Sequence, residues 1–257
     1  MKFGGGTNIS NLSQAILNSV KIALPPLPEQ KKIAEILSTW DRAIEVVERL
    51  IENSRAQQKA LMQQLLTAKK RLPGFSREWK EIPLSEAARI EWGNTSLTKS
   101  SYVEKGFQAY SASGQDGYVE KPEWQGTGIV LSAIGARCGR CFWAEGAWTA
   151  IKNTIVLQPR KNISDGSYLF YILDSPKFWP ISGGAQPFIG LKNARKIRVK
   201  TPSFNEQFVI GNILNTSQNE IDALTHLLAK LKSEKSALMQ QLLTGKRRVK
   251  IAEEAAA

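Results

Sequence analysis

The heptapeptide LMQQLLT occurs twice in this chain, at residues 61–67 and again at residues 238–244. The offset of 177 residues also aligns many residues upstream of the two copies without a gap. These matches include Pro25 with Pro202, Glu29 with Glu206, Gln30 with Gln207, Ile33 with Ile210, Leu37 with Leu214 and Ile44 with Ile221. An ungapped match of this length identifies an internal repeat, and a repeat determines how the rest of the chain is interpreted.

Each copy of the repeat follows the same order of local signals. A glycine-rich turn is followed by a short alternating segment, Val20-Lys21-Ile22 or Ile197-Arg198-Val199, which predicts a strand. A proline-containing stop comes next, and a long helix is predicted from the Glu-Gln pair onward. In the second copy we expect Asn205 to be the N-cap of that helix.

Both helices carry a series of positions spaced alternately by four and three, most of them apolar with a few polar breaks. In the first helix these positions are Ile33, Leu37, Trp40, Ile44, Val47, Ile51, Ser54, Gln58, Leu61 and Leu65. In the second they are Ile210, Leu214, Ser217, Ile221, Leu224, Leu228, Leu231, Lys235, Leu238 and Leu242. The heptads predict an antiparallel coiled coil in which facing residue numbers sum to 275, with Gln58 opposite Ser217.

The segment between the helices, residues 73–205, has a different texture and contains six of the seven tryptophans. Apolar runs predict strands at 128–132, 141–144 and 154–157, and a helix at 166–173. Gly114–Gly117 and Asn162–Gly166 are typical of turns. We therefore expect an α+β fold: a mixed domain with short strands, flanked by two long helices that form an antiparallel coiled coil.

Charge and composition restrict the possible functions. The 257 residues carry a net charge of +12, and residues 73–205 alone carry 17 Lys/Arg against 11 Asp/Glu. Such an excess predicts a polyanionic partner, most often nucleic acid. The sequence contains no run of 18 apolar residues, so no membrane span is predicted. Two cysteines are too few for a disulfide scaffold. We therefore expect a cytoplasmic protein without a membrane partner.

Motifs for catalysis and metal binding are absent or incomplete. The sequence has no Walker A pattern, no dinucleotide-binding glycine fingerprint and no Asn/Asp-Pro-Pro-Tyr/Phe segment typical of amino-methyltransferases. The C-x-x-C at Cys138–Cys141 could be half a zinc site or a redox pair, but the chain's one histidine, His226, falls outside the heptad core of the distant second helix. We expect two thiols beside a turn, a solvated His226, no metal and no catalytic residue.

At the start of each helix the sequence resembles the specificity subunits of type I restriction-modification systems. LPPLPEQKKIAEIL (24–37) matches the family's strand-Pro-helix segment closely, TPSFNEQFVIGNIL (201–214) matches it more loosely, and LLTGKRR (242–248) matches the helix end. Arg71–Phe75 with Trp79 resembles the start of a target-recognition domain. The chain departs from the family in having both helices but one complete recognition domain.

The resemblance implies a domain order and a role. The expected boundaries are 1–28 for the remnant of a first recognition domain, 29–72 for helix 1, 73–205 for the recognition domain, 206–247 for helix 2 and 248–257 for a tail. The implied partners are double-stranded DNA, methyltransferase subunits along the helices, the restriction/translocase subunits, and a homodimer partner or second specificity chain. The implied role is non-catalytic, with adenosylmethionine, ATP and magnesium held by those partners and no cofactor in this chain.

Polar, aromatic and glycine-rich loops of the recognition domain are the best candidates for DNA contacts, because Arg and Lys suit guanine edges while Asn and Gln suit adenine. The candidate residues are Lys99, Tyr102, Tyr110, Ser113, Gln115, Arg137, Lys152, Asn153, Gln186 and Lys192. Two alternatives stay open: a truncated cassette or decoy that binds the methyltransferase, and a coiled-coil scaffold without DNA specificity. Steep salt dependence of duplex binding distinguishes a nucleic-acid binder from both.

Overall fold

The computed structural model describes residues 13–21 and 24–250. The chain divides into two compact units, which we call the terminal unit (Met1–Asn53 with Asp222–Ala257) and the central unit (Ser54–Ile221). The division falls inside both long helices rather than at residues 73 and 205, where the sequence predicts domain boundaries. The inner part of each helix is therefore part of the central unit.

Helices dominate the repeat, and strands dominate the segment between its copies. The α-helices of the described residues are α1 (Gln14–Ser19), α2 (Leu27–Leu65), α3 (Leu84–Ala87), α4 (Gly166–Leu173), α5 (Leu191–Lys196) and α6 (Phe204–Leu243). Helices α2 and α6 have 39 and 40 residues, so each extends over roughly 60 Å. They end before residues 72 and 247, the expected limits.

The strands of the central unit form three sheets. They are β1 (Lys80–Pro83), β2 (Ala88–Trp92), β3 (Phe107–Ser111), β4 (Gly114–Val119), β5 (Trp124–Gln125), β6 (Gly128–Ser132), β7 (Cys141–Ala144), β8 (Ala147–Ala150), β9 (Thr154–Pro159) and β10 (Arg198–Thr201). The orders are β2-β9-β6-β7, β4-β3-β8-β5 and β1-β10. Only the β3–β8 pair is parallel among these strands.

The sheet β2-β9-β6-β7 is the middle layer of the central unit. One of its faces packs against the short helices α3 to α5 in the largest apolar cluster, which includes Ile129, Leu131 and Leu173. The other face contributes Val130 and Val156 to a second cluster around Trp148, a residue of the sheet β4-β3-β8-β5. Because β6 and β9 are covered on both faces, their sequences are continuous apolar runs rather than alternating ones.

The inner ends of the long helices pack directly on helix α4 of the central unit. Leu65 of α2 and Ile210 and Leu214 of α6 form one buried cluster with Tyr168 and Tyr171 of α4. The hydroxyl of Tyr171 donates to Asn215 Oδ1 at 3.1 Å. This shared core is why the compact unit extends into the helices beyond the expected boundaries.

The outer parts of the helices pack as an antiparallel pair within the terminal unit. Lys232 of α6 pairs with Glu48 at 2.7 Å, and Lys235 pairs with Asp41, nearer the start of α2. From Asp222 to Leu243 the predicted heptad residues are buried or half-buried and every other residue is exposed, His226 included. In the central unit, Gln58 donates to Gln218 at 3.0 Å, one residue beyond the predicted partner Ser217. The antiparallel coiled coil is confirmed.

The two helix ends repeat each other in atomic detail. Beyond α2, Arg71 forms a bidentate pair with Glu206 in the first turn of α6, with both N–O distances 2.9 Å. Beyond α6, Arg248 forms the equivalent pair with Glu29 in the first turn of α2, at 2.7 and 2.5 Å. The hydrogen bond from Arg248 lowers the pKa of Glu29. We call these two contacts the arginine clamps.

Several local predictions are wrong. Gly114–Gly117 lies in β4 rather than in a turn. Gly117 allows a close approach, since a Cβ there would lie 2.0 Å from the Tyr102 ring. Val20 and Lys21 follow α1 instead of forming a strand, and Ile22 lies outside the described residues. The N-cap of α6 is Ser203, whose hydroxyl accepts from the Glu206 N–H, so Asn205 already lies inside the helix.

Candidate nucleic-acid interface

One end of the sheet β2-β9-β6-β7 gathers most of the loops that the sequence analysis selected. Strands β2 and β6 end there at Trp92 and Ser132, and β7 and β9 begin there at Cys141 and Thr154. The antiparallel register places these four strand ends side by side. The loops 93–106, 133–140 and 151–153 therefore leave the sheet along one edge.

Backbone hydrogen bonds hold these loops together. Lys152 N donates to Leu97 O at 3.3 Å, and Ala133 N donates to Asn153 O at 3.0 Å. Gly135 N donates to Pro187 O at 2.9 Å, which adds the hairpin 182–188 to the group. The β3–β4 turn joins through Arg137, whose Nη1 donates to Ser113 O at 2.8 Å. We call the segments 93–102, 111–116, 133–140, 151–153 and 182–190 the loop face.

Most of the predicted DNA-binding side chains are exposed on or beside the loop face. The exposed ones are Lys99, Ser113, Gln115, Arg137, Lys152, Asn153, Gln186 and Lys192. Lys192 lies in the first turn of α5, three residues after Ile189, whose N–H donates to Ala133 O. Among the described residues, Lys152, Lys192 and Arg137 make no ion pair, so these three cations are available to an anionic partner.

Two of the predicted tyrosines are less exposed than the other candidates. Tyr110 is 5% exposed, its ring packs edge-on against Trp148 at 5.8 Å, and its hydroxyl donates to Gln108 Oε1. Its side chain therefore belongs to the core, and burial raises its pKa. Tyr102 is half-buried, and its hydroxyl donates to Asp116 Oδ1 at 2.7 Å, so this hydroxyl proton already has a partner within the loop face.

Asp116 is a residue of the interface that the sequence analysis missed. Its carboxylate accepts from Lys99 Nζ at 2.5 Å, from the Tyr102 hydroxyl at 2.7 Å and from Ser111 Oγ at 2.7 Å. Burial alone raises the pKa of this carboxyl, but the hydrogen bonds from these three donors together lower it below its ordinary value. The local sequence carries no signal for this role, because the three donors come from other segments of the fold.

The C-x-x-C thiols lie behind the loop face and are buried. Cys138 donates to Ala133 O and Cys141 donates to Leu173 O, and neither forms a disulfide. Burial raises the pKa of both thiols, which opposes formation of a reactive thiolate. Among the described residues no three His, Cys, Asp or Glu side chains form a group that could hold a metal ion. The geometry fits two structural cysteines.

Across residues 13–21 and 24–250, no helix combines the length and the apolar character needed to cross a bilayer.

Comparison with known proteins gives one consistent family. Residues 1–53 and 76–233 match the family model described as Type I restriction modification DNA specificity domain. The type I restriction enzyme MjaVIII specificity subunit of Methanocaldococcus jannaschii is 26% identical over 282 residues, covering 95% of this chain and 66% of the relative. The putative MjaX specificity subunit of the same organism is 27% identical, covering 95% and 63%. The chain thus spans about two thirds of the length of the curated relatives it matches.

Solved structures share the fold at lower identity. The type I restriction-modification S subunit from M. genitalium superposes with a TM-score of 0.68 at 23% identity, covering 94% of this chain and 68% of that one. The HsdS subunit from Thermoanaerobacter tengcongensis superposes with a TM-score of 0.53 at 22% identity, covering 95% and 65%.

Proposed function

This chain belongs to the family of type I restriction-modification DNA specificity domains, and from that premise we propose that it recognises DNA sequence for such a system. In this proposal the central unit contacts one half of a two-part site, and the long helices dock methyltransferase subunits. The chain itself catalyses no reaction. Restriction/translocase subunits join the assembly, which modifies adenine or cleaves DNA in the cytoplasm, and adenosylmethionine, ATP and magnesium belong to those partners.

The observation that carries the proposal is the clustering of unpaired cations and amides on the loop face. Arg137, Lys152 and Lys192 are exposed without a carboxylate partner among the described residues, and Asn153 and Gln186 lie on adjoining loops. Cations contact phosphates and guanine edges, and amides match the donor-acceptor pair of adenine. Backbone hydrogen bonds between the loops preorganise these side chains, which favours a specific contact over a loose electrostatic one.

The repeat supports a second recognition domain on the terminal unit. In the central unit, Gln207 donates to Ile163 O and accepts from Asp165 N, both at 3.0 Å, and so fixes the recognition domain to α6. Gln30 occupies the equivalent position of α2, and its side chain donates to Pro25 O as Gln207 does to Pro202 O. The terminal unit therefore carries the same docking residue at its own helix start.

Helix α1 supports the same conclusion, since Gln14–Ser19 is offset from Leu191–Lys196 of α5 by exactly the repeat length. In α5, Ala194 is fully buried in the core. Its counterpart in α1, Leu17, is 57% exposed, and Val20 is 45% exposed. We propose that a recognition domain covers these residues in the assembled complex, and that a second specificity chain, in a homodimer or a heterodimer, is one source of that domain.

The proposed function is tested by co-purifying the chain with its methyltransferase and sequencing the methylated sites. We expect a defined half-site, together with duplex affinity that falls steeply with salt. If the Lys152 side chain contacts a base, Lys152→Ala should weaken specific binding by about 1–3 kcal/mol. If it contacts phosphate, the substitution should weaken specific and non-specific binding to the same extent. Lys161→Ala, an exposed lysine beyond the opposite end of β9, is the matched control.

The open alternatives give different results in the same experiment. A decoy binds the methyltransferase but yields no methylated site, and a coiled-coil scaffold shows no salt-dependent duplex binding. Either result from the intact complex would refute a role in DNA recognition.

A further inference from the structure

We propose that Asp116 is a positioning residue for DNA recognition, acting on the guanidinium of Arg137 through Ser111 and the backbone of Ser113. The proposal rests on the proposed function, because it assigns a role within the same loop face. It concerns a residue that carries the same negative charge as DNA and that is proposed to act without contacting DNA itself.

The first step is the environment of the carboxylate. Lys99, Tyr102 and Ser111 each donate one hydrogen bond to Asp116, at 2.5, 2.7 and 2.7 Å. These donors come from the loop before β3 and from the end of β3, whereas Asp116 lies in β4. One carboxylate therefore ties the loop 99–102 to both strands of the hairpin.

The arrangement is built into the backbone as well as into the side chains. A Cβ at Gly117 would lie 2.0 Å from the Tyr102 ring, so a glycine is required for the ring to lie against β4 and reach Asp116. Gly114, with φ +102, allows the turn between Ser111 and Asp116. Gly117 thus leaves room for the Tyr102 donor, and Gly114 allows the turn that places Ser111 beside the carboxylate.

The second step carries the geometry from Asp116 to Arg137. Ser111 uses its hydroxyl proton on Asp116, and the same oxygen accepts from Ser113 N at 3.0 Å. The carbonyl of Ser113 then accepts from Arg137 Nη1 at 2.8 Å. The relay therefore runs from the carboxylate to the Ser111 hydroxyl, through the backbone N–H and C=O of Ser113, to the guanidinium, and each member restrains the next.

The third step is what this orientation provides. A guanidinium has five N–H donors in a rigid plane, and the bond to Ser113 uses one of them. Arg137 is exposed and makes no ion pair among the described residues, so its remaining donors face solvent. A held guanidinium suits a bidentate contact to a guanine edge, whereas a freely rotating one serves equally well on any phosphate.

Loss of the relay should therefore reduce sequence discrimination more than affinity. In Asp116→Asn the side chain keeps its size but loses its charge and half of its acceptor capacity, so it cannot hold three donors. We expect the preference for the cognate duplex over a scrambled duplex to fall about tenfold, which is the range for one bidentate base contact. Affinity for the scrambled duplex should change less than twofold.

The experiment measures both affinities for the purified complex of this chain with its methyltransferase, using the site identified by methylation sequencing. Asp116→Asn, Arg137→Ala and the double variant form one thermodynamic cycle. If Asp116 acts through Arg137, the double variant discriminates no worse than Arg137→Ala alone. Lys152→Ala combined with Asp116→Asn is the control, and those effects should be additive.

A second variant protects the test against a folding defect. Ser111→Ala breaks the relay but leaves the carboxylate with Lys99 and Tyr102, and it should show the same non-additivity with Arg137→Ala. Additive losses in both cycles, or equal loss for cognate and scrambled duplexes at unchanged melting temperature, would overturn the proposal while leaving the proposed function intact. A wild-type complex without sequence preference would overturn both.

Discussion

At the scale of single residues, the two helix ends differ at the position where the backbone turns left-handed. The chain leaves α2 through Ala68 with φ +59 and leaves α6 through Gly245 with φ +71. The backbone hydrogen bonds agree: Lys70 N donates to Gln64 O, and Arg247 N donates to Gln241 O, 177 residues later. Both ends are therefore left-handed caps, but only one carries the residue that adopts this conformation without a steric penalty.

Ala68→Gly should accordingly stabilise the protein. A left-handed conformation costs a non-glycine residue about 1 kcal/mol. Glycine avoids this cost, but its greater conformational freedom in the unfolded chain offsets part of the gain in stability. We expect a rise in melting temperature of about 1–3 °C, measured by thermal unfolding. Gly245→Ala, the mirror change at the other cap, should lower it. A decrease for Ala68→Gly would contradict the assignment of a strained cap.

The arginine clamps are the second feature at this scale. Glu206 is 1% exposed, and its carboxylate is held by Arg71, which also lies 5.8 Å from the centre of the Trp79 ring. Arg71→Ala leaves this buried charge without its partner and should destabilise the central unit by about 3 kcal/mol. Lys69→Ala, an exposed lysine nearby, should change stability by less than about 0.5 kcal/mol.

Denaturant unfolding of both variants measures this difference. A loss below about 1 kcal/mol for Arg71→Ala would mean that water replaces the guanidinium at Glu206. The repeat aligns Glu29 with Glu206, but their partners could not be predicted from sequence. Arg248 lies 219 residues from Glu29 and Arg71 lies 135 residues from Glu206, and no local pattern connects them.

At the scale of secondary-structure elements, the long helices were the most predictable part of the fold. Their period is repeated over many turns, so each heptad residue is constrained by its neighbours, and the buried positions agree along both helices. Strands β6 and β7 and helix α4 also have the predicted bounds. In each case a short apolar run has both ends marked by turn residues.

The register of the helix pair can be tested by a cross-link. Val47 and Leu228 sum to 275 and are the facing pair of one predicted layer, and the ion pairs Glu48–Lys232 and Asp41–Lys235 lie close to that register. Val47→Cys with Leu228→Cys should form a disulfide on mild oxidation, seen as a mobility shift on non-reducing gels. Val47→Cys with Lys235→Cys, one heptad away, should not. The reverse outcome would place the helices one heptad out of the proposed register.

The missed elements share a different cause. Strand β4 has the sequence GQDGYV, whose glycines and charge are typical of a turn, yet it pairs along its length with β3. Helices α1 and α5 are six residues long, too short to show a period. The role of Asp116 depends on tertiary contacts with Lys99 and Ser111. Such contacts cannot be predicted from a local sequence pattern.

At the scale of the whole molecule, the continuity of α2 and α6 matters most for the proposed function. Each helix is uninterrupted over its 39 or 40 residues, so its length is fixed by residue number. If recognition domains dock at both helix starts, as the repeat of Gln30 and Gln207 supports, the number of heptads sets the separation between the two halves of the DNA site.

Removing one heptad from each helix, residues 47–53 and 224–230, tests this idea. The deletion keeps the apolar stripe intact and shortens the pair by roughly 10 Å, which corresponds to about three base pairs of B-DNA. Methylation-site sequencing should show unchanged half-sites with a smaller gap between them, within the limits set by rotation around the duplex. An unchanged gap in a folded, active variant would show that the helices do not set the spacing.

The sequence repeat has a consequence for inheritance. The two LMQQLLT segments occupy the same heptad phase, with Leu61 and Leu65 matching Leu238 and Leu242, and each precedes a left-handed cap and a clamping arginine. A recombination event between such segments in two related genes would move a whole recognition domain and leave the helix phase, cap and clamp unbroken at the junction. On the proposed function, a new DNA target would then be acquired in one genetic step, and the helix surface proposed to dock the methyltransferase would stay the same.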